Sequence, residues 1–138
     1  MSVPGQRRVV DTNVISYVFK ENSLGTLYRP HLAGHQLAYS IQALAELRVW
    51  ALRAGWGERK MAALLGFLNA YALVYPDKAM IEWYAYARFH SLGVGINIDP
   101  ADAWIAATAL ALRCPLVTHN ARHYAGVPGL TLITENSA

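Results

Sequence analysis

Four acidic residues occupy positions where a carboxylate can do chemistry. Asp11 follows the apolar pair Val9-Val10 directly, Glu46 interrupts an Ala- and Leu-rich run, and Asp99 and Asp102 stand at the head of the apolar stretch Trp104–Leu110. Thr118 and Asn120, a hydroxyl and an amide, follow the apolar pair Leu116-Val117 in the same way. If folding gathers Asp11, Glu46 and Asp102, with Asp99 a further candidate, the carboxylates repel one another unless a hard cation neutralises them. An all-oxygen donor set of this kind suits Mg²⁺ or Mn²⁺.

Each of these residues also has an ordinary structural reading. Asp11-Thr12-Asn13 is a run of good helix caps. On a helix, Glu46 has Gln42, Ala43, Val49 and Trp50 as axial neighbours, so it either lies buried along an apolar stripe and needs a partner, or sits half-buried and reaches solvent or an arginine. Asp99 as N-cap, Pro100 at the first helical position and Asp102 at the third form a capping arrangement favoured by the helix dipole. Thr118 and Asn120 fit common turn chemistry.

Positioning these groups requires strands that end where helices begin. Val9-Val10, Gln36–Tyr39, Tyr71–Tyr75, Pro115–Val117 and Leu130–Ile133 read as strands, mostly as continuous apolar runs. Between them, helices are expected over about Val14–Lys20, Leu24–Leu32, Ile41–Ala54 with Ser40 as N-cap and Gly55 as stop, Glu58–Asn69, Asp77–His90, and from Asp99 to about Leu112. Strands alternating with helices predict an α/β fold with a mostly parallel sheet covered on both faces. In such sheets the site lies beyond the carboxyl ends of the strands. That is where Asp11, Thr118 and Asn120 fall.

The 138 residues suit one domain, taken here as 1–138, with 54% hydrophobic and 15% charged residues. The charged fraction is well below the usual figure of about 25%, which argues against disorder and for an apolar surface that meets a partner protein. The longest uncharged runs, Pro30–Ala45 and Met61–Pro76, are shorter than the ~20 residues a bilayer requires. The first residues leave no room for a signal-peptide apolar region, and the single cysteine, Cys114, permits no intrachain disulfide. A cytoplasmic protein with no membrane association is expected.

Other clusters are less informative. His31/His35 and His119/His123 have helical spacing, but Gly34 interrupts the first pair and only Cys114 is near the second, which disfavours structural zinc. Cys114, between Arg113 and Pro115, reads as a packed thiol. Trp83-Tyr84-Ala85-Tyr86 with Arg88 reads as core or dimer surface rather than a base-stacking platform. Arg7, Arg8, Arg48, Arg53, Arg59, Lys60, Arg113 and Arg122 make a phosphate-binding track only if folding gathers them. An aspartyl-nucleophile phosphatase needs a second Asp two positions after Asp11, where Asn13 stands.

Val9-Val10-Asp11-Thr12-Asn13-Val14, Ala45-Glu46-Leu47, Asp102–Ala109 and Val117-Thr118-His119-Asn120, in this order over nearly the whole chain, resemble the PIN-domain ribonucleases. The length and the ending Val127-Pro128-Gly129-Leu130 resemble the VapC toxin branch. The resemblance implies a three-layer α/β/α sandwich with a central sheet of four to five strands and an Mg²⁺- or Mn²⁺-dependent endoribonuclease that dimerises and is neutralised by a small antitoxin. It assigns Asp11, Glu46 and Asp102 as catalytic acids, with Asp11 and Asp102 on the metal and Glu46 and Asp99 as further candidate ligands. Thr12, Asn13, Thr118 and Asn120 would support the site. Where many members carry a fourth acid, this chain has His123, a candidate contact for the phosphate or a metal-bound water. A PIN-type RNA-processing nuclease without a toxin role, and a catalytically silent RNA- or protein-binding module, are the competing readings. The net charge of +3 also changes meaning: with three acids in one pocket, twelve basic residues face six acidic ones elsewhere, a surface suited to RNA.

Overall fold

The computed structural model describes residues 5–136, so the outermost residues of the expected 1–138 domain lie outside the described residues. Five strands, β1 (Arg7–Val10), β2 (Gln36–Ser40), β3 (Ala72–Val74), β4 (Leu116–Val117) and β5 (Leu132–Ile133), form one sheet in the order β3-β2-β1-β4-β5. Every neighbouring pair is parallel, with Val9 opposite Ala38 on one side and Leu116 on the other. The helices are α1 (Thr12–Lys20), α2 (Ser23–Leu32), α3 (Ile41–Arg53), α4 (Glu58–Leu68), α5 (Lys78–Gly93) and α6 (Pro100–Leu112), and a 3₁₀ turn spans Ala121–Tyr124. The expected α/β/α sandwich is present.

The alternation of strand side chains builds two cores from one sheet. Val10, Tyr39 and Val117 face a layer made by α1 to α4, rich in large residues such as Ile15, Tyr28, Leu47 and Leu64. Val9, Ala38 and Leu116 face the opposite layer, where α6 presents Ala103, Ala106 and Ala109. Because β1 is covered on both faces, Val9 and Val10 are fully buried, and a strand of continuous apolar residues is what such a position requires. Among the described residues no helix is long and apolar enough to cross a membrane.

Boundaries moved by a few residues. Helix α1 starts at Thr12 rather than Val14, because the Asp11 carboxylate accepts from the Thr12 N–H and caps it. Helix α5 continues past His90 to Gly93 before Gly95, at φ 78°, turns the chain. The third and fifth strands pair over fewer residues than expected, 72–74 and 132–133. One glycine is set by packing: a Cβ on Gly25 would lie 2.4 Å from the Tyr17 carbonyl oxygen, so the α1–α2 crossing leaves no room for a side chain.

Candidate active site

The chain leaves β1 toward β2 and β3 and later returns to β4 and β5, so strand order reverses between β1 and β4. At that switch point the strand ends diverge and leave a crevice. Asp11 ends β1 and Thr118 ends β4, placing them side by side although 107 residues separate them.

Asp11 is 4% exposed, and its carboxylate accepts three hydrogen bonds. Oδ1 accepts from the Thr12 N–H at 2.8 Å, and Oδ2 accepts from the Thr118 hydroxyl at 2.7 Å and the Tyr124 hydroxyl at 2.9 Å. Thr118 is itself oriented by the Asn120 N–H, which donates to its hydroxyl oxygen at 3.1 Å. Burial pushes the Asp11 carboxyl up to about 6, with the Asp102 charge adding to the rise and the donors opposing it. Asp11 is thus both the helix cap and part of the lining of the cavity at the strand ends.

Asp102 reaches the same place from α6. Asp99 caps that helix through the Ala101 N–H at 3.3 Å and Pro100 occupies its first turn, which turns the third helical position toward the strand ends. Asp102 Oδ1 accepts from the Tyr124 hydroxyl at 3.2 Å, and Oδ2 lies 3.1 Å from His123 Nδ1. Burial raises its pKa, and the adjacent His123 opposes the rise. A single phenolic hydroxyl therefore stands between two carboxylates. It has one proton, so it can donate to only one of them at a time.

Glu46 comes from α3. The Thr12 hydroxyl donates to its Oε1 at 2.5 Å, and burial raises its pKa, with Asp102 and Asp99 adding to the rise. Its apolar stripe is only partly buried, since Val49 is 52% exposed, and its partner is a hydroxyl rather than an arginine. Asp11, Glu46, Asp102, Thr12, Asn13 and Asn120 line one cavity of about 310 Å³. Asp99 does not line it. It belongs with Arg122 and His123 to a neighbouring cavity of about 230 Å³ that shares only Asp102.

The donors fit a hard cation in kind: carboxylates whose burial and mutual repulsion favour neutralisation, and a buried Asn13 Oδ1 that accepts no hydrogen bond from a described residue. Among the described residues no three His, Cys, Asp or Glu side chains converge on one metal-sized point. Mg²⁺ does not require that, because it retains several waters and binds proteins through one or two carboxylates. Asp11 and Asp102, within hydrogen-bond distance of one hydroxyl, form such a pair.

The remaining four histidines have structural partners: His31 pairs with Glu135 at 2.6 Å, His35 Nδ1 lies 3.0 Å from the Gln6 carbonyl, His119 Nδ1 lies 2.7 Å from the Tyr28 hydroxyl, and the His90 ring packs against Tyr86 at 4.4 Å. Tyr84 stacks on Trp104, and Trp83 packs edge-on against Tyr86, as expected of a packing cluster. Sequence reasoning missed Tyr124, whose only signal is a hydroxyl directly after His123. It also missed Ser16, Lys20 and Trp50, which line the same cavity.

A parallel α/β sheet with a carboxylate-lined crevice at its switch point defines an α/β protein with an acidic strand-edge site. The PIN domain family model matches residues 8–127, and the chain belongs to that family. A ribonuclease VapC19 of Mycobacterium tuberculosis is 39% identical over 90 residues, covering 64% of this chain and 70% of that protein. Among solved structures, VapBC-1 from nontypeable Haemophilus influenzae aligns with a TM-score of 0.78 and 26% identity over 94% of this chain and 98% of that one. VapBC2 from Rickettsia felis, bound to a promoter DNA fragment, has the same fold, with a TM-score of 0.82 at 22% identity over 95% of this chain and 100% of that one.

Proposed function

We propose that this protein is a divalent-metal-dependent endoribonuclease of the VapC type, the toxin of a toxin–antitoxin pair. The observation that carries this reading is the junction of Asp11 and Asp102 on the Tyr124 hydroxyl inside the pocket that Glu46 also lines. Its VapC ribonuclease relatives and the VapBC complexes that share its fold support RNA as substrate and a small antitoxin as partner. Its low charged fraction and apolar surface residues such as Leu52, Phe89 and Val94 suit that partner and a homodimer.

Asp11 and Asp102 would hold Mg²⁺ or Mn²⁺, with Glu46 completing the acidic wall. The bound ion supplies a lowered water pKa and neutralises charge on the phosphoryl oxygens. The chain's own residues do the rest. Thr118, ordered by Asn120, and the Thr12 N–H hold the Asp11 carboxylate in one orientation. Thr12 does the same for Glu46 through its hydroxyl. Without the ion, burial makes all three carboxyls bind protons more tightly than usual, and a bound cation would oppose this, so protons and the ion would compete for the same oxygens. His123, beside Asp102, faces the neighbouring cavity and can contact a phosphate oxygen entering from that side.

The test is cleavage of total cellular RNA with and without Mg²⁺ by the wild type and by Asp102→Asn, with the cut ends mapped. Discrete metal-dependent ends that the folded variant does not produce are expected. Cutting by Asp102→Asn at the wild-type rate, or tight RNA binding with no metal-dependent cutting, would overturn the reading.

A further inference from the structure

The pocket does not stop at its carboxylates. Thr12, Ser16 and Lys20, four residues apart, lie on one face of α1, and Glu46 and Trp50 lie on one face of α3. Both helices start at the same sheet edge, so the valley between them has two cross-links. At the edge, the Thr12 hydroxyl meets Glu46. Eight residues along α1, about 12 Å by helical rise, the Lys20 ammonium sits 4.5 Å from the centre of the Trp50 ring. The same arrangement repeats next to it. Trp50 packs on Trp56 at 4.7 Å, and Lys60 lies 4.3 Å from the centre of the Trp56 ring.

Both lysines are exposed, and among the described residues neither ammonium is within ion-pair distance of a carboxylate. This holds although Lys20 lines the same cavity as three acids. The ring faces hold the two cations in place, and a ring face engages only one side of an ammonium, so both exposed lysines retain N–H donors for another acceptor. An acidic pocket that binds a polyanion needs positive charge displaced from the metal centre but in line with it. This valley has that layout.

Resting on the ribonuclease reading, we infer that the α1–α3 valley, continued onto the start of α4, is an RNA-backbone subsite, in which Lys20, seated on Trp50, and then Lys60 of α4, seated on Trp56, bind phosphates flanking the one that is cut. The ammonium groups recognise phosphate rather than base, so the subsite adds affinity without choosing sequence. It gives the substrate one direction across the pocket, from Asp102 along α1. Lys20 and Lys60 act as positioning residues.

The experiment uses a fluorescein-labelled single-stranded RNA of mixed sequence and about a dozen nucleotides, bound to the full chain carrying Asp102→Asn over about 50–200 mM salt. Each phosphate contact on a single strand contributes about −0.7 to the slope of log K against log salt. Lys20→Met, which keeps an apolar stem on Trp50, is expected to reduce the slope by about 0.7, Lys20→Met with Lys60→Met by about 1.4, and Lys20→Arg to preserve it. In the otherwise wild-type chain, Lys20→Met should raise KM for RNA and leave kcat nearly unchanged. Unchanged slopes in single and double variants would mean that the lysines only cover the tryptophan faces, and would overturn the inference. If the wild type cuts RNA with Mg²⁺ while the slopes do not move, this inference alone falls. If the wild type neither cuts nor binds RNA, both readings fall.

Discussion

Helices α1 and α6 both begin with an aspartate that caps the helix through a backbone N–H, Asp11 for α1 and Asp99 for α6. Local sequence treats them alike. The fold does not: Asp11 is buried under Thr118 and Tyr124, whereas Asp99 is exposed and, among the described residues, its carboxylate bonds only to its own helix. The difference comes from the approach to each helix. Helix α1 follows β1 with no intervening loop, so its cap residue lies inside the crevice between β1 and β4. Helix α6 follows the stretch 94–99, which places its cap outside the crevice and delivers the carboxylate of its third position, Asp102, instead. A cap and a site residue can therefore have the same local signature, and distance from the strand end decides between them.

Substitutions can break this contrast. The largest expected effect is on cleavage by Asp11→Asn. Even partners of metal ligands typically cost about 10–100-fold, so loss of a ligand carboxylate should lower metal-dependent RNA cutting by at least about a hundredfold, measured as initial rate at saturating Mg²⁺. Retained activity would show that Asp11 is only a cap after all.

The second effect concerns stability without metal. The Asp11 carboxyl is raised to about 6 in the fold, above its unfolded value, so between these two values the folded state binds more protons than the unfolded state. The stabilising effect of protonation is complete below the unfolded pKa and is lost as pH rises through the folded one. From about pH 4 to about pH 6 this residue should therefore lower the unfolding free energy by roughly 2 kcal/mol, out of about 3 over its whole titration. Urea unfolding in EDTA across that range, compared between the wild type and Asp11→Asn, isolates the contribution.

The third effect is that of Tyr124→Phe, which keeps the buried ring and removes the hydroxyl that joins Asp11 to Asp102. A loss of about 10–100-fold in metal affinity or activity is expected, measured by Mg²⁺ titration of cleavage. A normal Mg²⁺ dependence would mean that the two carboxylates are aligned without it. Smallest is Asp99→Ala. It should cost about 0.5–2 kcal/mol of stability by denaturant unfolding, as loss of a helix cap does, with cleavage close to that of the wild type.

Much of the architecture was legible because it follows from local pattern. The runs Val9-Val10 and Leu116-Val117 read as strands covered on both faces, and Ser40, Asp99 and Pro100 marked helix starts that the structure reproduces. The short strands and the end of α5 were less legible, since hydrogen-bond pairing and one turn at Gly95 set them rather than side-chain type.

By itself, the sequence determined which residues could carry the chemistry, Asp11, Glu46 and Asp102, and the alternation of strand and helix that sends acids to one edge of a sheet. Residue type and spacing are local properties, and periodicity reports them directly. Only the tertiary structure decided that Asp99 stays outside the crevice, that Tyr124 links two carboxylates from opposite ends of the chain, and that Lys20 leaves the acids for the Trp50 ring. Those contacts join residues 22 to 113 positions apart, and their partners are chosen by the packing of helices across the sheet.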